Sequence, residues 1–535
     1  MANQFKKVID RPMWIPVAPA PNGHGAGTCL CSDLRSDISR NPFVYDLLST
    51  ATLNRFNIIT KSSALAVNPG LGGTFGIGAA TVFAPSQGLK GTITTGATTT
   101  SIPTSTVITA IGANMLANRG GSGDYGFKIR IIGRAAGKVE ERFIVANTAG
   151  TTPTFRLDNA LTFTPANGDL YEILAGRVFM LSAGAIVATS FRSFEVASNT
   201  LANGGTAGLP TPATDSAIVA LDEQYTPYNH NPGEGFIKGT FEYDNNLVSR
   251  KALAATATTA NTITGQASGG DSGVLANEYR NFQIRIVQDT TNPTAINQRA
   301  YIASHTAGAS PVYTLGANWT VQPSSTAKYV IEYPNLLVLR TAANTTTYTY
   351  NYNDAAYNNG TTNLAANTWS TTLFGTAPAA NAAGNIWCPA FGIQPDTQKN
   401  ARHSHLFFFR GSAVTLDLLD IAGGTTGLWT GAVVYDGNTI TMGGGTSVAY
   451  SPFGGEGRFS YINAYSASAI NQIFRFDAKN RVLSPYTPTD DIQAGGATVG
   501  NRMAAYVAID NTDLYDVVLL KSHLSTKMQE LIVLV

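Results

Sequence analysis

The sequence predicts an all-β fold, and three observations carry that expectation. Asp, Glu, Lys and Arg make up only 13% of the 535 residues, about half the usual share. Thr, Tyr and Phe recur in nearly every stretch and 53 glycines punctuate them. Such a composition suits short strands joined by tight turns, and it withholds the Glu, Lys, Leu and Arg that helices favour. The third observation is an internal duplication whose strands alternate apolar and polar residues.

One copy reads Phe127-Lys-Ile-Arg-Ile-Ile132 and then Arg142-Phe-Ile-Val-Ala-Asn-Thr-Ala-Gly150. The other reads Phe282-Gln-Ile-Arg-Ile-Val287 and then Ala300-Tyr-Ile-Ala-Ser-His-Thr-Ala-Gly308. One offset of 158 residues carries Pro153 onto Pro311, Pro165 onto Pro323 and Ile173 onto Ile331. An offset held over so many positions marks two homologous units. In Phe127-Lys128-Ile129-Arg130-Ile131 the apolar side chains fall two apart, the pattern of a strand with one buried face. Each unit therefore reads as a small β-barrel or sandwich, spanning 91–182 and 251–340.

Outside these units four segments share a pattern: Phe43-Val-Tyr-Asp46, Phe241-Glu-Tyr-Asp244, Val433-Val-Tyr-Asp436 and Phe474-Arg-Phe-Asp477. Each reads as a strand closed by an Asp that can accept from the next backbone amides. Tyr348-Thr-Tyr-Asn-Tyr352 followed by Asn367-Thr-Trp369 reads as a strand and its return, and repeated meanders of this kind build propeller blades. These residues resemble kelch-type blades, in which a Tyr-Asp strand end precedes an Asn-x-Trp return. Gly443-Gly444-Gly445 and Gly454-Gly455 stand in for that family's diglycine strand.

The expected architecture is an all-β, kelch-like β-propeller interrupted by the two modules, which the Tyr-Asp pattern places between blades. Its segments are an N-terminal arm with the first propeller strands (1–90), module one (91–182), a propeller segment (183–250), module two (251–340) and the remaining blades (341–535). Leu531-Ile-Val-Leu-Val535 is apolar throughout, as a strand covered on both faces is. It is expected to close the ring against an N-terminal strand and remove an open edge.

Composition also narrows the partners. The net charge is +1 and no run of Lys or Arg occurs, so the counterion release that drives nucleic-acid binding has no evident source. Cys29, Cys31 and Cys388 make an odd count without a framework, which predicts reduced thiols and assembly in a cytoplasm. The first ten residues lack a signal peptide's apolar core and no stretch reaches the length of a membrane span. Neither export by the usual route nor a membrane span is expected.

The segment Leu275-Ala-Asn-Glu-Tyr-Arg-Asn281 before Phe282, with Asn318-Trp-Thr-Val-Gln-Pro323 after it, resembles a module recurrent in virion proteins of tailed bacteriophages. The first copy departs from it, with Arg119-Gly-Gly-Ser-Gly-Asp-Tyr125 before its strand. The resemblance covers about a third of the chain and implies a small structural domain of tail, collar or fibre proteins, with no catalytic set attached.

Six segments offer candidate sites. Gly270-Asp-Ser-Gly273 looks like the nucleophile segment of trypsin-like proteases, but Val274-Leu275 follow and no His stands in that family's setting. His403-Ser-His405 puts two imidazoles on one face of a strand, yet no Asp, Glu or Cys is near in sequence; a solvated loop is expected. Cys29-Leu-Cys31 with His24 lacks a fourth zinc ligand and reads as two small buried side chains. Gly70-Leu-Gly-Gly-Thr-Phe-Gly-Ile-Gly78 misses the phosphate-loop spacing and reads as backbone running close to another chain or blade. Glu140-Glu141 and Asp490-Asp491 are adjacent in sequence, so on a strand their side chains point to opposite faces. No catalytic, cofactor or metal residue is expected.

The resulting expectation is a non-enzymatic structural subunit of a tailed-phage virion: a ring-forming tail sheath or nozzle component, or a neck or collar component. Its partners would be copies of itself and other tail, neck or portal-proximal proteins. The alternative is a receptor-binding tail protein whose segments Tyr225-Thr-Pro-Tyr-Asn-His230 and Tyr348–Tyr352 contact host glycans. A propeller-borne glycan hydrolase or oxidase is a third possibility, and it would need converging carboxylates or a metal set.

Overall fold

A computed structural model describes residues 14–17, 29–32, 43–48, 52–58, 60–72, 79–84, 88–105, 109–117, 126–209, 215–221, 253–265, 274–390, 404–411, 414–451, 458–464, 472–486, 502–510, 513–521 and 528–532. Burial grades steeply from strand to strand, and that gradient orders the chain. Phe43–Leu47, Leu336–Thr341, His405–Phe409 and Phe459–Ala464 are buried at every position. Ser62–Val67 and Leu428–Val433 are buried at none. Strands of the first kind are covered on both faces; those of the second lie at a rim.

Among the described residues these strands form six antiparallel blades. From inside outward, blade 1 is Cys29–Ser32, Phe43–Leu47, Leu53–Asn57 and Ser62–Val67. Blade 2 is Ala80–Ala84, Arg177–Leu181, Phe191–Glu195 and Thr200–Asn203. Blade 3 is Ser216–Ala220, Leu336–Thr341, Tyr348–Asn351 and Thr368–Ser370. Blade 4 is Ile386–Pro389, His405–Phe409, Leu416–Asp420 and Leu428–Val433. Blade 5 is Ser447–Ser451, Phe459–Ala464, Gln472–Asp477 and Val482–Pro485, with the short Asp436–Gly437 added in parallel. Blade 6 takes Arg502–Asp510, Asp513–Lys521 and Met528–Ile532 from the end of the chain, and Trp14–Val17 from its beginning.

The inner strands touch in sequence order, and that of blade 6 touches those of blades 5 and 1, so the blades make a closed ring. The chain is a β-propeller, closed where Trp14 pairs with Leu531 and Val17 with Met528; residues 533–535 lie outside the described residues.

Period-two alternation cements neighbouring blades. In blade 4, Cys388, Phe407 and Phe409 face Ile462, Phe474 and Phe476 of blade 5. Their neighbours Trp387, Leu406 and Phe408 face the other way, into a core shared with blade 3. A continuous apolar run such as Leu406-Phe-Phe-Phe409 is what a strand covered on both faces requires.

Both modules are present as six-stranded antiparallel barrels of one topology. In the second, Leu253–Thr258, Thr262–Gly265, Val312–Leu315, Arg299–His305, Gln283–Gln288 and Lys328–Glu332 close in that order. In the first, the matching strands run in the same order and a bridge between Ile93 and Thr104 completes the circle.

Two sequence expectations need correction. The modules are not inserted between blades but inside them, each between the first and second strands of blade 2 or blade 3. They end at Ile173 and Glu332, because Arg177–Leu181 and Leu336–Thr341 are blade strands rather than module strands. Nor does the Tyr-Asp pattern mark equivalent places. Phe43–Asp46 lies on a second strand, Phe474–Asp477 on a third, and Val433–Asp436 bridges two blades; Phe241–Asp244 lies outside the described residues. Asp477 caps a turn by accepting from the Lys479 and Asn480 amides at 3.1 and 3.2 Å, whereas Asp46 lies within its strand, paired with Leu30 and Asn54.

A four-stranded antiparallel blade returns the chain to the face where it began, so all six inner strands run the same way. Both modules follow the far ends of inner strands and therefore stand side by side on one face. They touch: Ile132 and Val139 of the first pack on Ile296 of the second. Gly137, at φ +63°, passes Thr290 so closely that a Cβ there would lie 3.3 Å from its methyl group. Each barrel also shares a core with its blades, Phe155 and Tyr171 with Tyr45 and Phe83, and Tyr313 and Tyr329 with Val219 and Phe408. Among the described residues no helix is long and apolar enough to cross a membrane.

Candidate functional site

The inner strands enclose a central channel of about 180 Å³, lined mainly by small side chains such as Cys29, Ala80, Thr81, Ser216, Ala449 and Ala505. Small residues belong here because six strands converge on one axis. Asp215 is the one charged residue among the described lining residues. Its carboxylate accepts from the Ser216 amide at 3.0 Å and the Gly384 amide at 2.5 Å, which ties blade 3 to blade 4. The Trp387 indole N–H adds a second tie by donating to the Ala217 carbonyl at 3.1 Å. Both groups thus brace the ring.

Each module also carries a buried cluster of charges. Arg130 is 2% exposed and donates from Nη2 to Glu141 Oε1 at 2.9 Å and from Nη1 to Glu172 Oε2 at 3.4 Å. In the second barrel Arg285 donates from Nε to Glu332 Oε1 at 2.6 Å, and Arg299 lies 3.4 Å from the other oxygen. Glu141 and Arg299 are equivalent positions, so the first cluster holds one cation and two anions and the second the reverse. The half-buried strand expected from alternation is therefore buried on its polar face too. The duplicated Ile-Arg-Ile was the available signal, because an Arg repeated between apolar residues in both copies marks a paired buried charge.

His305 occupies the place that Asn147 fills in the first barrel. Asn147 Oδ1 accepts from the Leu116 amide at 2.9 Å; His305 Nε2 accepts from the Tyr279 amide at 2.9 Å and its Nδ1–H donates to the Thr306 carbonyl at 3.0 Å. Burial lowers the pKa of this imidazole below its ordinary 6.5, in keeping with a neutral ring that must accept at Nε2. Asn281, fully buried at φ +69°, fastens the second barrel to its surroundings. Its carbonyl accepts from the Tyr357 hydroxyl and Asn359 Nδ2, and its amide donates to the carbonyls of Ile421 and Gly424. At the root of the first barrel, burial pushes the Glu195 carboxyl up to about 7 against the opposing pull of Arg177.

Several sequence candidates resolve differently. His405 is not in a solvated loop but on a buried strand, where pairing sets it against Asp420 with Nε2 3.8 Å from Oδ2. A carboxylate that looked remote in sequence is thus its cross-strand neighbour. Cys31 is buried and Cys29 half-buried, its Sγ donating to the Ala79 carbonyl at 3.2 Å. Burial pushes the Cys388 thiol up to about 12. Glu141 faces Arg130, while Glu140 accepts from Arg142 Nη2 at 2.6 Å and the Thr162 amide at 3.1 Å.

The glycine-rich loop does run against a blade at Gly72, where a Cβ would overlap Thr189 and Val187. Tyr348–Tyr352, which the receptor-binding alternative would set against glycans, lies buried between blades 2 and 3, with the Tyr350 ring 4.9 Å from Phe191 and 5.1 Å from Trp369. His24, residues 73–78, Tyr225–His230, Gly270–Gly273, His403 and Asp490-Asp491 lie outside the described residues.

The rim is the feature that sequence reasoning missed. The outermost strands read Ser-Ser-Ala-Leu-Ala-Val, Thr-Leu-Ala-Asn, Thr-Trp-Ser, Leu-Trp-Thr-Gly-Ala-Val, Val-Leu-Ser-Pro and Trp-Ile-Pro-Val. None holds a charge; Asp436 enters only through the two-residue strand added to blade 5. Exposed edges are ordinarily guarded by charged side chains, Lys above all. Leu65 is 60% and Leu428 56% exposed on two of these strands, with Val434 beside the latter at 79%. The signal was present as strands without a charge inside them, but rim and core strands look alike until the blades are assembled.

No family model matches the chain, and no curated protein matches it. Among solved structures it is similar to a protein of unknown function from Bacteroides thetaiotaomicron, at 9% identity over 84% of this chain and 98% of that one, with a TM-score of 0.21. A variant of the NanB sialidase from Streptococcus pneumoniae aligns at 11% identity over 95% and 83%, TM-score 0.22. An ancestral GH74 enzyme aligns at 9% identity over 97% and 84%, TM-score 0.20.

Proposed function

We propose that the protein is a non-enzymatic structural subunit of a tailed-bacteriophage virion, a ring-forming component of the tail sheath or nozzle, or of the neck or collar. The observation that carries this reading is the nearly uncharged rim: among the described residues five of the six blades end in a strand without Lys, Arg, Asp or Glu, and blade 5 carries only the two-residue Asp436–Gly437 outside such a strand. Burying such edges between symmetric copies costs no charge desolvation and supplies partners for their outer backbone groups. The two barrels, packed on each other and into the propeller core, suit a part that keeps one shape under load. Their resemblance to a virion module supplies the location.

Electron microscopy of the recombinant chain beside purified particles tests the reading. Closed rings that match a symmetric layer around the tail or neck are expected. Particles lacking this chain, or a dispersed monomer that instead coats host cells, would reject it.

A further inference from the structure

We infer that the joint between the first barrel and blade 2 is a pH-responsive hinge, held shut in acid and loosened toward neutral pH, with Glu195 as its sensor. The inference concerns the single chain and stands apart from the virion reading. Two links join this barrel to its blade, one entering after Ala84 and one leaving after Ile173. They pass each other at two glycines. A Cβ on Gly88 would overlap the Ile173 carbonyl oxygen, and one on Gly176, at φ +71°, would lie 2.6 Å from the Phe83 ring; only glycine fits so close a passage. The Ile173 amide donates to the Leu89 carbonyl at 2.7 Å and the Val196 amide to the Gly176 carbonyl at 3.3 Å.

Glu195 ends the third strand of blade 2 where these links meet. Strand pairing sets it opposite Arg177, the first residue of the returning strand, with Nε 3.3 Å from Oε2. Its Oε1 accepts from the Ala197 amide at 3.4 Å, and the carboxylate also accepts from the Leu89 amide on the entering link. One carboxylate thus holds the way into the barrel and the way out, with its side chain only 15% exposed. Among the described residues Arg177 is the charge that acts on it. Tyr350 of blade 3 packs on Phe179 beside Arg177, and burial raises its phenol well above the ordinary 10. Lys90, next to Leu89, pairs with Asp354 of blade 3. The second barrel lacks this clamp. Leu337 pairs with Ala220 as Arg177 pairs with Ala84, and the residue opposite Leu337 is Tyr350.

Burial disfavours the charged carboxylate and outweighs the pull of Arg177, so the group titrates at about 7 in the shut joint. Opening returns it to water and to its ordinary 4.5. Between those values the shut joint keeps a proton that the open joint has released. The shut joint is therefore most stable in acid, weakens as pH rises toward 7 and changes little beyond it. From pH 5.5 to pH 7.5 local opening should become about tenfold more frequent.

Hydrogen–deuterium exchange on the full chain tests this, with protection corrected for the intrinsic effect of pH on amide exchange. The reporters are the amides of Leu89, Ile173, Val196 and Ala197, whose bonds the joint holds. In the wild-type chain their protection should fall about tenfold from pH 5.5 to pH 7.5. Glu195→Gln, which keeps the shape of the protonated acid, should hold protection near its acid level throughout and leave residues 333–338 of the second barrel's root as they are in the wild type. Arg177→Gln removes the charge that pulls the carboxyl down, and should carry the fall in protection to higher pH. This second variant still tests the sensor if Glu195→Gln fails to fold. Protection that does not change with pH in the wild type, or the same fall in Glu195→Gln as in the wild type, would overturn the inference, as would a window unmoved by Arg177→Gln.

Discussion

At the residue scale, the two barrels are a natural comparison of one fold solved with different side chains. Asn147 and His305 hold the same turn, each accepting from a backbone amide, but only the imidazole titrates. Because burial holds the folded pKa of His305 below 6.5, neutral His is present in both states above that pH. Below it the unfolded chain takes up a proton that the folded chain resists, so stability falls as pH drops from 6.5 toward the folded value. Each pH unit in that window costs up to about 1.4 kcal/mol. His305→Asn should fold, keep the turn and lose this component. The check is urea unfolding of both proteins at pH 7.5 and pH 5, with the variant gaining relative to the wild type at the lower pH. An equal decline in both would show that His305 does not carry the effect.

At the scale of the element, the buried charges make the two barrels unequal. Glu332 is fully buried and serves two cations, Arg285 and Arg299, whereas Arg130 has two carboxylates to share. Removing one partner of a buried pair leaves an uncompensated charge, at a cost of roughly 3–5 kcal/mol. Glu332→Gln should approach that loss, and Glu172→Gln should cost distinctly less because Glu141 remains at 2.9 Å. Chemical denaturation would rank them, and equal losses would refute the asymmetry. Alternation alone placed Arg130 and Arg285 on an outer face. Their burial follows from Glu172, Glu332 and the apposed barrel, which come from distant sequence.

At the scale of the whole molecule, the ring is held by joints between unlike segments. Asp215 and Trp387 tie blade 3 to blade 4, and Trp14–Val17 completes blade 6 beside Met528–Ile532. Deleting residues 1–17 removes that last strand and exposes a new edge. The unfolding temperature should fall by several degrees and aggregation on heating should rise. Calorimetry would read both, and an unchanged profile would mean that the closing strand adds nothing to the ring.

Sequence by itself determined the all-β class, the duplication and the strands around Phe127 and Phe282, because composition and period-two alternation are local properties that one chain segment carries alone. It also showed Leu406-Phe-Phe-Phe409 as an apolar run, although not which blades would cover its two faces. Tertiary structure decided the rest: the insertion of both barrels inside blades, the placing of His405 against Asp420, the inward turn of Tyr348–Tyr352, and the exposure of Leu65 and Leu428 at the rim. Each of these depends on which distant segments become neighbours. Strand pairing and blade order set that, and no window of residues can express it.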